Sequence, residues 1–268
     1  MTNVAIFLLA GLGIGAVYAT LSLGLVVTYK GTGVINFAAG SMGAWSAFVF
    51  SELRTNGRLT FPVVGVPGSV HITDHAGVPL ALACAALSGA LLGLVVHLLV
   101  FRPLRSAPDL AKVVASAGVM LAMQALIVER FGSRPRVVDP IITTAVLKIH
   151  RIGIPAQVFW LAGIVIVVAT AATLWFHTTR SGLALRASAE NELTTSLARY
   201  SPDRLAALAW VAASTSIGFL VALASPVTGL NSTSYTLYIV PALACALVGR
   251  LTYIAPAVAA AFGLGMIK

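Results

Sequence analysis

Charge is scarce in this sequence. Only 9% of its 268 residues are charged, against roughly 25% in a soluble domain, which is too few to cover a water-facing surface. Acids are the rarest of these: Glu52, Asp74, Asp109, Glu129, Asp139, Glu190, Glu192 and Asp203, all in loops or at the ends of apolar runs. A proton-coupled carrier needs an ionisable group inside the membrane, so this placement disfavours proton coupling; a sodium site built from carbonyls and hydroxyls stays open. Cysteine is nearly missing. Cys84 and Cys245 each sit in an apolar run without a CxxC partner, so packing explains them better than metal or redox chemistry. There is no GxxxxGK[ST] phosphate loop, so energy from ATP must come from elsewhere.

Catalytic equipment is missing as well. An intramembrane protease needs a Ser–His pair, a metal triad or paired aspartates within spans; only His97 lies in one, and neither GxSxG nor HExxH accompanies it. His97 is read as a hydrogen-bonded packing residue. In HITDH, His71 and His75 flank Asp74, but they share a face only on a helix, and the nearby Pro and Gly argue against one. No catalytic residue and no metal site is expected. The N-terminal Met1-Thr2-Asn3 runs into an apolar stretch too long for a leader core and lacks a basic region, so a first span is expected there rather than a removed signal.

What is present is apolar: 59% of residues are hydrophobic and the mean hydropathy is +0.96. The runs of about 20 match bilayer thickness. A barrel requires strict alternation over about ten residues, and Leu80–Val100 and Val158–Leu174 are apolar all round. Helical segments are expected near Val4–Thr28, Val34–Phe50, Val78–Phe101, Leu110–Val128, Gln157–Phe176, Leu205–Leu223, Tyr235–Val248 and Tyr253–Ile267. The second, seventh and eighth are short for a perpendicular span: either tilted spans or broken helices lining a cavity, as transporters use. The last stops at Lys268 after about 14 apolar residues, short of the roughly 20 a span needs, and the expectation is truncation or a very short final helix. The net charge of +9 is scattered over interhelical loops, where it sets orientation; no nucleic-acid partner is expected. Gly11/Gly15 and Gly89/Gly93 are GxxxG pairs that let helices approach closely in lipid.

Among the polar stretches, Ser51–Gly77 reads as an exposed loop, and Arg102–Lys112 and Glu129–Arg151 read as basic loops. Gly182–Tyr200, GLALRASAENELTTSLARY, is different. Leu185, Ala189, Leu193 and Leu197 recur four apart and share one face of a helix. Ser201-Pro202-Asp203 then restarts a helix with an N-cap, a first-turn proline and a favourable charge. The residues alone leave two readings: a helix that docks on a motor protein, or one resting on lipid headgroups.

Three blocks carry a resemblance: Gly11–Trp45, GLGIGAVYATLSLGLVVTYKGTGVINFAAGSMGAW; FRPLRS at Phe101–Ser106, followed by Ala115–Gln124; and Gly182–Arg204, with RASAE leading to an Asp-Arg pair. In consistent order over nearly the whole chain, they resemble the branched-chain amino acid permease family of ABC importers (the LivH type). Two positions depart: Ala39 stands where the family often has His, removing any role for that imidazole, and Arg199 stands where Gly is usual, which bears on the segment's bend or partner. The family tends to continue past the point where this chain stops.

The resemblance implies an all-α integral membrane protein, a polytopic bundle of about eight spans in a single permease domain, 1–268, including short or broken helices. It implies a cytoplasmic coupling helix at 183–200, where Arg186, Ala187, Ala189, Glu190, Leu193 and Leu197 would meet an ATPase. The partners implied are a second permease subunit, identical or related, two cytoplasmic ATP-binding subunits carrying the ATP and Mg, an extracytoplasmic solute-binding protein and membrane lipid, in the bacterial inner membrane. No cofactor is expected in this chain. The solutes would be branched-chain amino acids or similar small molecules such as urea and amides; the competing function is an ion-coupled secondary carrier. Cytoplasmic placement of 182–200 puts Arg102–Lys112 inside and the basic Glu129–Arg151 outside, against the positive-inside bias. Asn36, beside Gly33, Gly40 and Gly43, is read as lining the translocation route or as a polar packing contact, with Ser41, Gln124 and Asn231 as further pathway candidates.

Overall fold

The computed structural model describes the backbone of residues 2–62, 69–72, 76–141, 146–149, 152–190, 195, 197 and 200–268, and their side chains except those of 2–7, 10, 146–149, 152–154 and 190. The chain is helical, with two small antiparallel hairpins. Helix α1 is Thr2–Thr32, and α2 is Ala39–Asn56. Strands β1 (Arg58–Thr60) and β2 (Ser69–His71) pair next, Leu59 opposite Val70. Then come α3 (Val78–Val96), which runs into a π-helical turn at His97–Phe101, and α4 (Asp109–Phe131). Strands β3 (Val146–Ile149) and β4 (Ile152–Pro155) precede α5 (Gln157–Thr178), α6 (Arg180–Glu190) and α7 (Pro202–Thr228). The short α8 (Ser234–Leu237) and α9 (Ile239–Val248) lead to α10 (Ile254–Ile267).

Among the described residues, Gly11–Thr32, Val78–Phe101, Asp109–Phe131, Gln157–Thr178 and Pro202–Thr228 are helices long and apolar enough to cross a membrane. The architecture is an all-α, multi-pass membrane bundle.

Every expected apolar segment is a helix, with two adjustments. The second begins at Ala39, because Gly33 (φ 68°) ends α1 and 34–36 are non-helical, and it continues to Asn56. Its polar end is held by ion pairing and hydrogen bonding: Glu52 accepts from Arg136 (2.6 Å) and from Asn56 (2.7 Å). The expected 51–77 loop is therefore helix up to residue 56, with the paired strands at 58–60 and 69–71 beyond it. The seventh segment is broken at Tyr238 into α8 and α9.

Helix α2 lies in the centre, with every residue from Ala39 to Ser51 buried; it packs on α3, α4, α7 and α8. Helix α1 packs on α5, α7, α9 and α10. Small residues set these approaches. A Cβ on Gly11 would overlap the main chain of Gly265 in α10, and one on Gly93 would come within 2.7 Å of the Trp210 carbonyl oxygen. Both GxxxG pairs are helix-packing seams.

The contacts define two ends. At one, Arg105, after α3, donates to Asp203 at the start of α7 (2.8 Å). At the other, Arg136 pairs with Glu52, and its main chain bridges to Leu230 beyond α7. The basic 102–112 stretch thus shares an end with α6, and 129–141 lies at the opposite end.

Candidate functional site

The three sequence blocks meet at the first of these ends. A cavity of about 210 Å³ is lined by Gly31–Val34 at the end of α1, His97 and Phe101 in the π-helical turn, Arg102, Arg105, Lys112, Ser188 and Ala189 on α6, and Pro202, Asp203 and Trp210 on α7. Asp203 joins the blocks: its carboxylate accepts from Arg105 and lies 3.8 Å from Arg102. Ser201 has the extended backbone of an N-cap, but its side chain makes no capping bond; proline at the first position and Asp203 in the first turn start the helix. Phe101 stacks on Trp210 with centroids 4.4 Å apart. His97 is buried against Trp210. Its imidazole also lies beside the main chain and the carboxylate of Asp203.

Helix α6 starts three residues before the expected 183 and is braced to α5. The Gly182 amide donates to Thr179 Oγ1 (3.1 Å), and Trp175 Nε1 donates to Ser181 Oγ (3.2 Å). A Cβ on Gly182 would overlap the Trp175 carbonyl oxygen. Overpacking of this kind costs about 1–3 kcal/mol, so Gly182→Val should unseat α6. Limited proteolysis should then cleave within 180–200 faster than in the parent, with the spans still protected.

Of the coupling candidates, Arg186 is half-buried, its Nη1 3.3 Å from His177 Nδ1. Ala187 and Ala189 are exposed, and Ala189 borders both this cavity and a second one formed with Tyr29, Lys30 and Thr252. Glu190 ends α6, and its side chain is outside the described residues, as is Leu193. The expected stripe is not one buried face: Leu185 is fully buried and Leu197 is 84% exposed. Leu185 reaches α1, where a Cβ on Gly31 would lie 3.3 Å from its Cδ2. Of the HITDH group, His71 is on strand β2, and Asp74 and His75 are outside the described residues.

Asn36 lies in the break between α1 and α2 and is fully buried. Its Nδ2 is 4.0 Å from Met42 Sδ, and its Oδ1 has no partner. Such an atom costs about 1–3 kcal/mol. Ser41, also buried, donates to the Ala38 carbonyl (3.0 Å), and the Phe37 amide donates to Ser116 Oγ on α4 (3.4 Å). Gln124 and Asn231 form a separate pair around Thr233: Gln124 Nε2 donates to Thr233 Oγ1 (3.3 Å), and Asn231 Oδ1 accepts from the Thr233 amide (3.1 Å). Helix α8 connects the two pairs. Gly40 fits against the main chain of Tyr235 and Thr236, and the buried Thr236 Oγ1 also lacks a partner. The four candidates thus fall in two pairs, one at the start of α2 and one around Thr233 just before α8.

A family described as "Branched-chain amino acid transport system / permease component" matches residues 7–268. The chain belongs to this family. No curated protein and no solved structure matches it. As a permease component it is a transport subunit of the membrane and not a catalytic one.

The sequence reading of the permease missed the Arg105–Asp203 joint and the cavity around it. The available signal was an arithmetic one. Asp203 is the lone acid of the 193–213 stretch, and the stretch after α3 brings Arg102, Arg105 and Lys112 against Asp109 alone.

Proposed function

We propose that this permease is the membrane-spanning subunit of an ABC importer of the bacterial inner membrane. It would move branched-chain amino acids or similar small solutes delivered by an external binding protein. A second permease subunit would complete the route, and two cytoplasmic ATPases, holding ATP and Mg, would drive it. Residues 180–200 are the coupling segment, with Arg186, Ala187, Ala189, Glu190, Leu193 and Leu197 as its contact residues. Asn36 and Ser41, with Gln124 and Asn231, are the polar groups of the pathway.

One observation supports the reading most. Helix α6 is locked to α5 through Gly182 and reaches α1 through Leu185 beside Gly31, five residues before Asn36. A push on α6 has a short packed route to the break that carries the unpartnered amide. Packed interfaces of this kind have discrete arrangements rather than a continuum.

Two measurements test it. Reconstituted with its partners, the permease should take up solute on ATP hydrolysis, equally with and without an ion gradient; uptake driven by a gradient alone would point to a secondary carrier. With Cys84 and Cys245 replaced by Ser, a cysteine at the exposed Ala187 should resist an impermeant thiol reagent in intact cells and react in inverted vesicles. Labelling in intact cells would put α6 on the wrong side for an ATPase.

A further inference from the structure

We propose that the cavity between the end of α1, α6 and the turn before α10 is a binding site for the carboxylate of a small solute of amino-acid size. The proposal rests on the reading of Asn36 and the helix break around it as part of the solute route.

Charge is the first argument. The cavity, of about 280 Å³, is lined by Tyr29, Lys30, Gly33, Arg186, Ala189 and Thr252. Among these lining residues two are cations and none is an acid. Lys30 and Arg186 are close enough for their charges to act on each other. What each already touches brings no negative charge. The Lys30 ammonium lies over the face of Phe176, 4.7 Å from the ring centroid. Arg186 Nη1 lies 3.3 Å from His177 Nδ1; a guanidinium only donates, so Nδ1 accepts there and the imidazole is neutral. A single acid within reach of Arg186, such as Glu190 at the end of α6, would balance one charge and leave the other. A cleft lined by one sign of charge concentrates counter-ions, and the fork of a guanidinium matches the two oxygens of a carboxylate.

Position points to the source of that carboxylate. Gly33 lines the cavity and is the residue that ends α1, with φ 68°. A Cβ there would meet nothing within 4 Å, so the space beside the break is open. Asn36, buried in the same break, is three residues further on. A solute that leaves Asn36 past Gly33 meets Lys30 and Arg186. The neighbouring cavity also borders Gly33 but has Asp203 among its lining groups, whereas this one offers cations alone. Its volume is at the small end for ligand cavities, which suits an amino acid better than a nucleotide. Occupancy would slow release as solute builds up on the α6 side.

The test uses the full chain, purified in a nonionic detergent without partners, and reads its thermal unfolding. L-Leucine should raise the Tm saturably; L-leucinamide, which keeps the side chain and the ammonium but lacks the carboxylate, should not. K30Q/R186Q should need at least about tenfold more L-leucine for the same shift, and K30Q alone several-fold more. K30R keeps the charge and should respond as the parent does, which separates lost charge from damaged folding. R54Q, at a cavity of the opposite end, should also respond as the parent does. Equal shifts from L-leucine and L-leucinamide would overturn the site. An equal shift from inorganic phosphate at the same concentration would overturn the carboxylate as its ligand. If K30Q/R186Q loses association with an ATPase while its L-leucine response is unchanged, the cations serve a protein contact and the proposal fails. ATP-driven uptake by the assembled importer, with no L-leucine response of the isolated chain, ends this proposal and leaves the importer reading standing. An L-leucine response without such uptake supports the site and ends the importer reading.

Discussion

Gly40→Val should abolish accumulation of folded permease, the largest loss expected of any single methyl-bearing substitution in α2. The added Cβ would overlap the Tyr235 carbonyl oxygen and approach the Thr236 Cα within 3.4 Å. Both are main-chain atoms, which cannot step aside as a side-chain tip does. Overpacking usually costs about 1–3 kcal/mol. The top of that range is the appropriate figure here, because α2 is buried from Ala39 to Ser51 and Tyr235 opposite Gly40 is fully buried. Thermal unfolding and yield in detergent are the readouts. Gly118→Val and Gly163→Val are the matched controls, since a Cβ at either position would meet nothing within 4 Å; both should behave as the parent does. A normal Gly40→Val protein would show that α2 and α8 do not meet as described.

The second large effect is expected from Asn36→Leu, and it should separate transport from stability. The amide oxygen is buried without a partner, so an apolar side chain of similar size removes an unmet acceptor, which is neutral or stabilising. The variant should therefore match or exceed the parent in Tm and assemble normally. Uptake should fall at least about tenfold, the equivalent of 1.4 kcal/mol at the pathway. Ser41→Ala, which removes only a bond to the Ala38 carbonyl, should have a smaller effect on uptake. Undiminished uptake in Asn36→Leu would make the residue a packing contact and remove it from the pathway.

The spans were legible in the sequence because lipid imposes a length and an apolar composition on any helix that faces it. Their ends were not. Helix α2 shows why: it is enclosed by protein rather than lipid, so it tolerates Ser41, Ser46 and Ser51 among its buried residues, and hydropathy alone moved it toward the more apolar but non-helical Val34–Ile35. Its last turn carries Glu52 and Arg54, which look like loop residues until Arg136 and the Asp139 carbonyl are brought to them. The candidate site was legible by blocks and not by contacts. Arg105 and Asp203 are 98 residues apart, and no local pattern joins them. The i+4 stripe of 185–197 was correct as a spacing, but it could not say that Leu185 would be covered by α1 while Leu197 would stay in the open.

The seam between α1 and α10 limits how the bundle can deform. Gly11 and Gly15 face Gly265 and Phe262 with main chain directly against main chain, so sliding one helix along the other would set a side chain where only a glycine fits. The two helices are keyed together and must travel as one piece. Motion of the bundle is then expected around that pair, at breaks such as Gly33 and Tyr238 where helices are already interrupted.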